Sequence, residues 1–277
     1  KKTPDDSMEL TGRLAELAAM ARQRSQSSEI SYEQQQQRAV DQYNSGIGDM
    51  IGYNCDVCKN KGYTAVLQHG AFCLVECKCM AVRRSNARLE KSGINPAYTL
   101  QNYNADNDWQ RSICMKAYEY ADAPKGWFFM GGQVGSGKTH ICTGIVRKLI
   151  NSGREARYML WRDDSTVIKA TVKYPEEYAA MVEPLKTVDV LYIDDFLKTN
   201  SGQPTTADFN LAFEILNARY NRPDLVTIIS SEFYLSEIAD LDEAVGSRIY
   251  ERSKGYAFNI GRDRAKNYRL RGLNGSF

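Results

Sequence analysis

Residues 132–139 read Gly-Gln-Val-Gly-Ser-Gly-Lys-Thr and fill every fixed position of the pattern G-x-x-x-x-G-K-[ST]. The apolar run just before it, Trp127–Met130, predicts a short buried strand. After it, Ile141, Ile145, Val146, Leu149 and Ile150 recur at helical spacing. Strand, glycine loop and helix in that order restrict the fold to a parallel α/β sheet with an anion cradle at one strand end. The glycines allow backbone N–H groups to turn inward, and the helix N-terminus adds partial positive charge. The cradle comprises Gly132, Gln133, Val134, Gly135, Ser136, Gly137, Lys138, Thr139 and the adjoining His140. Lys138 has the reach for β- and γ-phosphates, and the Thr139 hydroxyl can ligate Mg²⁺.

A second element fits the first. Val188–Asp195 is an apolar strand ending in two carboxylates, Asp194 and Asp195. Ligands of open α/β sheets lie beyond the carboxyl ends of the strands, so Asp194 is expected to face the glycine loop and hold Mg²⁺. Asp195 is expected to orient or polarise an attacking water. The next strand ends in Ser230-Ser231-Glu232, and a polar side chain there, with Ser231 the candidate, falls in the same layer. Further strands are expected over Gly126–Met130, Ala156–Trp161, Val226–Ser231 and Tyr256–Ile260. Helices are expected over Asn107–Ala121, Lys138–Ser152, Asp164–Val172, Pro175–Val182, Ala207–Tyr220 and Asp242–Ser253. The alternation predicts a parallel sheet with helices on both faces. Arg248 and Arg252 lie four apart on one expected helix and share a face. From Arg252 onward the chain carries seven Lys/Arg and one acid, Asp263; such a run is a solvated face or serves phosphate or nucleic acid.

The N-terminal third is different. Residues 8–25 carry an amphipathic helical pattern, while 25–45 are polar, with glutamines at 34–37, and read as a mobile or partner-dependent helix. Five of the seven cysteines crowd into residues 55–79. Cys55-Asp56-Val57-Cys58 and Cys77-Lys78-Cys79 flank two expected short strands, Tyr63–Gln68 and Phe72–Val75. Four thiolates from two knuckles make a tetrahedral Zn²⁺ site, structural rather than redox-active, with an Fe–S cluster or a metal-free cluster as the alternatives. Cys73 and His69 are further candidates; Cys73 on its strand also reads as a small inward apolar residue. A basic helix is expected over Met80–Lys91, and Ser92–Pro96 breaks it, which sets the domains at 1–91 and 92–277. No apolar run approaches the ~20 residues that span a bilayer. With no signal-type apolar core near the N-terminus and clustered thiols, a cytoplasmic chain with no membrane partner is expected.

Taken in order, these motifs resemble the DnaC/DnaI family of AAA+ replicative helicase loaders, within the IstB-like ATP-binding group. The resemblance rests on Gly132–Thr139, Leu191–Phe196, Thr227–Phe233, Gly246–Arg252 and Asn267-Tyr268-Arg269, and covers nearly the whole chain. It implies an AAA+ core that binds ATP and Mg²⁺ behind a zinc-bearing N-terminal domain. Arg252, or else Arg248, is implied as an arginine finger reaching a neighbour's ATP, and Arg269 as the sensor 2 arginine acting in cis. The implied activity is to grip the replicative hexameric helicase, assemble head to tail in a spiral and admit single-stranded DNA. Lys198, Thr199 and Ser201 follow the Walker B strand and read as a solvated loop or, on the family pattern, a channel lining. Two departures stand out: Glu232 falls at the sensor 1 position where the family has Asn, and Asp195 stands where many AAA+ enzymes have Glu. Hydrolysis is expected to be slow and dependent on assembly or DNA. The alternatives are an IstB-type ATPase assisting a transposase, a small-molecule kinase insensitive to DNA, and a zinc-stabilised adaptor that binds ATP with little turnover. Assays of helicase binding, transposase binding and DNA-stimulated turnover separate them.

Overall fold

The computed structural model describes residues 30–200 and 202–271, together with Met20. Apart from Met20, the helix expected over 8–25 lies outside the described residues, as does Ser201. The chain forms two compact units, Lys1–Arg83 and Arg84–Phe277.

In the first unit the polar stretch is helical over Tyr32–Ser45 (α1). A capping box starts it: Gln34 N–H donates to Ser31 Oγ, and Ser31 N–H to Gln34 Oε1. With only Val40 buried, α1 is held by polar clamps. Asn44 pairs with both backbone groups of Ala65, each at 2.9 Å. Lys61 Nζ donates to the Tyr43 carbonyl at 2.6 Å and to that of Gly46, which satisfies the helix end. Strands β1 (Tyr63–Gln68) and β2 (Ala71–Glu76) form an antiparallel hairpin. His69 and Gly70, both at positive φ, make its two-residue turn. Helix α2, Cys79–Ser92, begins at the end of this unit and continues into the second.

The second unit carries a five-stranded parallel sheet, in spatial order β4 (Ala156–Leu160), β5 (Val190–Asp194), β6 (Val226–Ser230), β3 (Trp127–Gly132) and β7 (Ala257–Ile260). This is an AAA+ α/β core. Around it run α3 (Asp108–Asp122), α4 (Lys138–Asn151), α5 (Trp161–Ala170), α6 (Pro175–Thr187), α7 (Thr206–Tyr220), α8 (Leu235–Leu241) and α9 (Glu243–Arg252). Every residue of β3, β5 and β6 is buried, as a sheet covered on both faces requires. Alternation divides their side chains between two cores. Phe128, Met130, Tyr192 and Ile228 pack with Ile141, Ile145 and Leu149 of α4 and Tyr120 of α3. Trp127, Phe129, Leu191, Ile193 and Ile229 pack with residues of α5 to α9, among them Trp161, Leu185, Ile215 and Ile249. Each such aliphatic side chain contributes roughly 1.5–3 kcal/mol on burial. The two cores fix the strand ends at which the site is built.

Candidate nucleotide-binding site and cysteine cluster

The glycine loop leaves β3 at Gly132 and enters α4 at Lys138. Gly135 and Gly137 adopt left-handed φ of 70° and 93°, conformations that favour glycine. A Cβ at Gly137 would also lie 2.9 Å from the Tyr103 ring. Inside the loop, Ser136 Oγ donates to the Gln133 carbonyl. Lys138 is nearly buried, its Nζ donating to the carbonyls of Gly132 at 2.9 Å and Gln133 at 2.7 Å. Burial lowers its pKa, opposed by the carboxylates of Glu232, Asp195 and Asp194.

Asp194 ends β5 within a ring of donors. Thr139 Oγ1 donates to its Oδ1 at 3.2 Å and Tyr158 OH to its Oδ2 at 3.1 Å. Ser230 Oγ also donates to Oδ1, and Tyr192 OH lies 3.3 Å from Ser230 Oγ. Asp194 is therefore oriented toward Thr139 by side chains from β4 and β6. A hydroxyl and a carboxylate so placed are the hard oxygen set that Mg²⁺ takes beside phosphate oxygens. Sequence reasoning missed Tyr158 and, within Ser230-Ser231-Glu232, gave Ser230 no role of its own. It named Ser231 instead, but Ser231 is fully buried, donating to the Phe196 carbonyl and accepting from Phe233 N–H, and does not line the cavity.

The loop, Thr139, Asp194 and Asp195 line one cavity of about 450 Å³. Its far wall brings in Tyr98, Asn102 and Tyr103 from the segment before α3, which the sequence did not single out, and Tyr268 beside Arg269. His140 lies between the rings of Tyr98, stacked at 4.7 Å, and Tyr103, edge-on at 5.3 Å. Its Nε2 is 2.9 Å from the Thr99 carbonyl and 2.8 Å from Asn102 Oδ1. Burial lowers the imidazole pKa, with the Thr99 carbonyl opposing, so His140 acts as a neutral prop for this wall. Tyr268 N–H donates to the Gly135 carbonyl and places the exposed Arg269 on the cavity. Gln133 and Gly132 line a second cavity, on which Lys198 and Glu232 also lie.

Lys198 is not the solvated loop residue its neighbours suggested. Its ammonium donates to Glu232 Oε1 at 2.6 Å and to Asp195 Oδ2 at 3.2 Å. Burial would lower its pKa, but the two carboxylates win and raise it. The implied finger arginines do not reach this cavity. Arg248 lies over the Phe213 ring and donates to Asn217 Oδ1 and the Ala244 carbonyl. Arg252 lies over the Trp127 ring, with Nε and Nη2 buried and unpartnered.

In the first unit, Cys55, Cys58, Cys77 and Cys79 bring their sulfurs within 4.8 Å of one another. Cys55 and Cys77 are 3.7 Å apart, Cys58 and Cys79 3.5 Å. Four sulfurs about 2.3 Å from a tetrahedral zinc lie about 3.8 Å apart, so the donor set fits Zn²⁺. Gly62 N–H donates to Cys58 Sγ at 3.4 Å, as to a metal-bound thiolate. Cys73 faces Val66 across the hairpin and stands outside the cluster, as does His69 in the turn. Among the described residues, no helix is long and apolar enough to cross a membrane.

Comparison with known proteins agrees with this geometry. The model of the bacterial DnaA ATPase domain matches residues 94–253. The phage-like element PBSX protein XkdC of Bacillus subtilis (strain 168) is 31% identical over 243 residues, spanning 81% of this chain and 89% of its own length. The uncharacterized protein YqaM of the same organism is 32% identical over 212 residues, 70% of this chain and 66% of its own length. The structure of the replication initiator DnaA bound to AMPPCP and single-stranded DNA superposes with a TM-score of 0.51 at 19% identity, over 67% of this chain and 58% of the initiator chain.

Proposed function

The chain belongs to the bacterial DnaA ATPase-domain family, and on that premise we propose that it is an ATP-dependent loader, placing a replicative hexameric helicase on single-stranded DNA. The observation that carries this reading is the four-thiol cluster of a separate N-terminal unit ahead of a complete P-loop core. That order is the one the helicase-loader resemblance implies. A relative named for a phage-like element supports a phage or prophage replication system as the source.

In this reading Lys138 and the loop amides hold the ATP phosphates, Thr139 and Asp194 hold Mg²⁺, and Asp195 orients the attacking water. Arg269 touches ATP in cis. Arg252, or Arg248 in its place, serves a neighbouring subunit, which accounts for their distance from the chain's own cavity. Zn²⁺ on Cys55, Cys58, Cys77 and Cys79 stiffens a domain spanning 1–91 that grips the helicase. The AAA+ domains, 92–277, stack head to tail in a spiral around DNA, and turnover is slow outside that assembly. The test is co-elution of the full chain with the replicative helicase of its host, with and without ATP. A complex lost on deletion of residues 1–91 supports the reading. No complex in either state removes it.

A further inference from the structure

The end of β6 is where a loader of this pattern would carry an uncharged water-positioning side chain, and here that task is reassigned. Ser230 is spent on Asp194, and Ser231 on the Phe196 carbonyl and Phe233 N–H. Glu232 is the next side chain, and it lines both cavities at their junction beside Lys198. We propose that Glu232, held by Lys198, is the carboxylate that takes the proton from the water attacking ATP. This rests on the ATPase reading above and goes beyond it by assigning the proton acceptor to the end of β6, with Asp195 left to orient the water.

Three observations converge on Glu232. Lys198 donates to Glu232 Oε1 at 2.6 Å and to Asp195 Oδ2 at 3.2 Å, so one ammonium fixes two carboxylates at the mouth of the loop. Without that bridge, two adjacent carboxylates facing a triphosphate would repel one another and the substrate. Next, Lys138 marks where the β- and γ-phosphates lie, and Glu232 lines the same cavity as Lys138 and the glycine loop. Finally, Asp195 is one methylene shorter and stands on left-handed backbone, φ 51°. Its remaining task is orientation.

The chemistry balances. The water oxygen forms a bond to the γ-phosphorus while a water proton passes to a Glu232 oxygen. The bond between the γ-phosphorus and its bridging oxygen breaks, and the electron pair leaves with ADP. The proton then passes from Glu232 to a phosphate oxygen, which regenerates the carboxylate. Lys198, a positioning residue, keeps Glu232 aimed throughout.

The experiment measures phosphate release and ATP affinity for the full-length wild type, Glu232→Gln, Glu232→Ala and Asp195→Asn, each with and without single-stranded DNA. Removal of a general base lowers turnover about 10²–10⁴-fold. We expect that loss in Glu232→Gln with ATP affinity within about threefold of wild type, and a smaller loss in Asp195→Asn. Added formate should restore part of the turnover of Glu232→Ala, since a small carboxylate can fill the vacated space; a residue that merely supports the fold would not respond. Glu232→Gln turning over within about fivefold of wild type overturns the inference, as does ATP binding lost in that variant or no formate rescue. A wild-type chain that binds ATP and never turns it over removes the ATPase reading, and the inference with it.

Discussion

Arg219 offers a stringent test of how the fold supports the site. Its side chain is fully buried on α7 and makes no ion pair with a carboxylate among the described residues. Instead the guanidinium donates to the carbonyls of Leu185 at 3.0 Å, Val188 at 2.8 Å and Val226 at 2.7 Å, and to Thr227 Oγ1 at 2.9 Å. Leu185 and Val188 close the C-terminus of α6, where the helix dipole favours a cation. Val226 and Thr227 begin β6, the central strand, so one side chain joins α6, α7 and the end of the sheet opposite Asp194. Burial brings its pKa down to about 10, which leaves it charged at neutral pH. Arg219→Met keeps much of the volume but strands these acceptors. Each buried unsatisfied acceptor costs about 1–3 kcal/mol, partly offset because no cation is then buried. With four acceptors stranded and that offset taken off, a net loss of about 3–5 kcal/mol follows. At about 2–4 °C per kcal/mol for a domain of this size, Tm should fall by roughly 10 °C. The assay is thermal unfolding followed by tryptophan fluorescence. Trp109, Trp127 and Trp161 all lie in the second unit, so the signal reports that unit alone. A Tm within about 2 °C of wild type would refute the reasoning.

Other predictions follow from the same geometry. Cys55→Ser should lower bound zinc, measured by elemental analysis, and speed amide exchange in the β1–β2 hairpin, while the tryptophan melt of the core stays unchanged; equal zinc in both proteins would remove the metal assignment. Ser230→Ala deletes a donor that orients Asp194, so affinity for ATP with Mg²⁺ should drop roughly 10–100-fold, with little change for Mg²⁺-free ATP. For His140, burial lowers the pKa below 6.5. Above that pH both folded and unfolded chains carry it neutral and it contributes nothing. As pH falls through 6.5 the unfolded chain takes up a proton that the folded chain resists, and stability is lost down to the folded pKa. Urea unfolding at about pH 7 and about pH 5 should therefore show a shallower acid loss for His140→Gln than for wild type. Equal slopes would mean that His140 titrates normally.

The parts of this molecule written in local patterns were legible in the sequence. Gly132–Thr139, the strand ending in Asp194, all five strands of the core sheet and the four clustering cysteines needed only a window of adjacent residues. What depended on pairing across the fold was not legible. Choosing Ser231 over Ser230 is a one-residue slip at a strand end, and in a strand buried on both faces hydrophobicity does not say which face a serine takes. Cys73 drops out of the metal set because of the hairpin register, Val66 against Cys73. Lys198 meets Glu232 across 34 residues of sequence, a contact that no periodicity announces. Helix α8 has only Leu235 and Ile238 buried in seven residues, too little pattern to register. Helix α6 was expected to end at Val182 but runs on to Thr187 with Pro184 inside it, held by the packing of Leu185 on the core. Helix α5 starts at Trp161 rather than Asp164, because Asp164 reaches back to accept from Leu160 N–H at 2.8 Å.

The proposed function is that this chain places a hexameric helicase ring on single-stranded DNA in an ATP-dependent manner. Covalently closed circular single-stranded DNA has no end over which a closed ring can slip. The direct measurement is the amount of host replicative helicase retained on such circles after a salt wash, with wild-type chain and ATP, with wild-type chain and no nucleotide, and with Lys138→Ala and ATP. The account predicts retention well above helicase alone only in the first case. Retention no greater than helicase alone, from a chain shown to bind both ATP and the helicase, would contradict it.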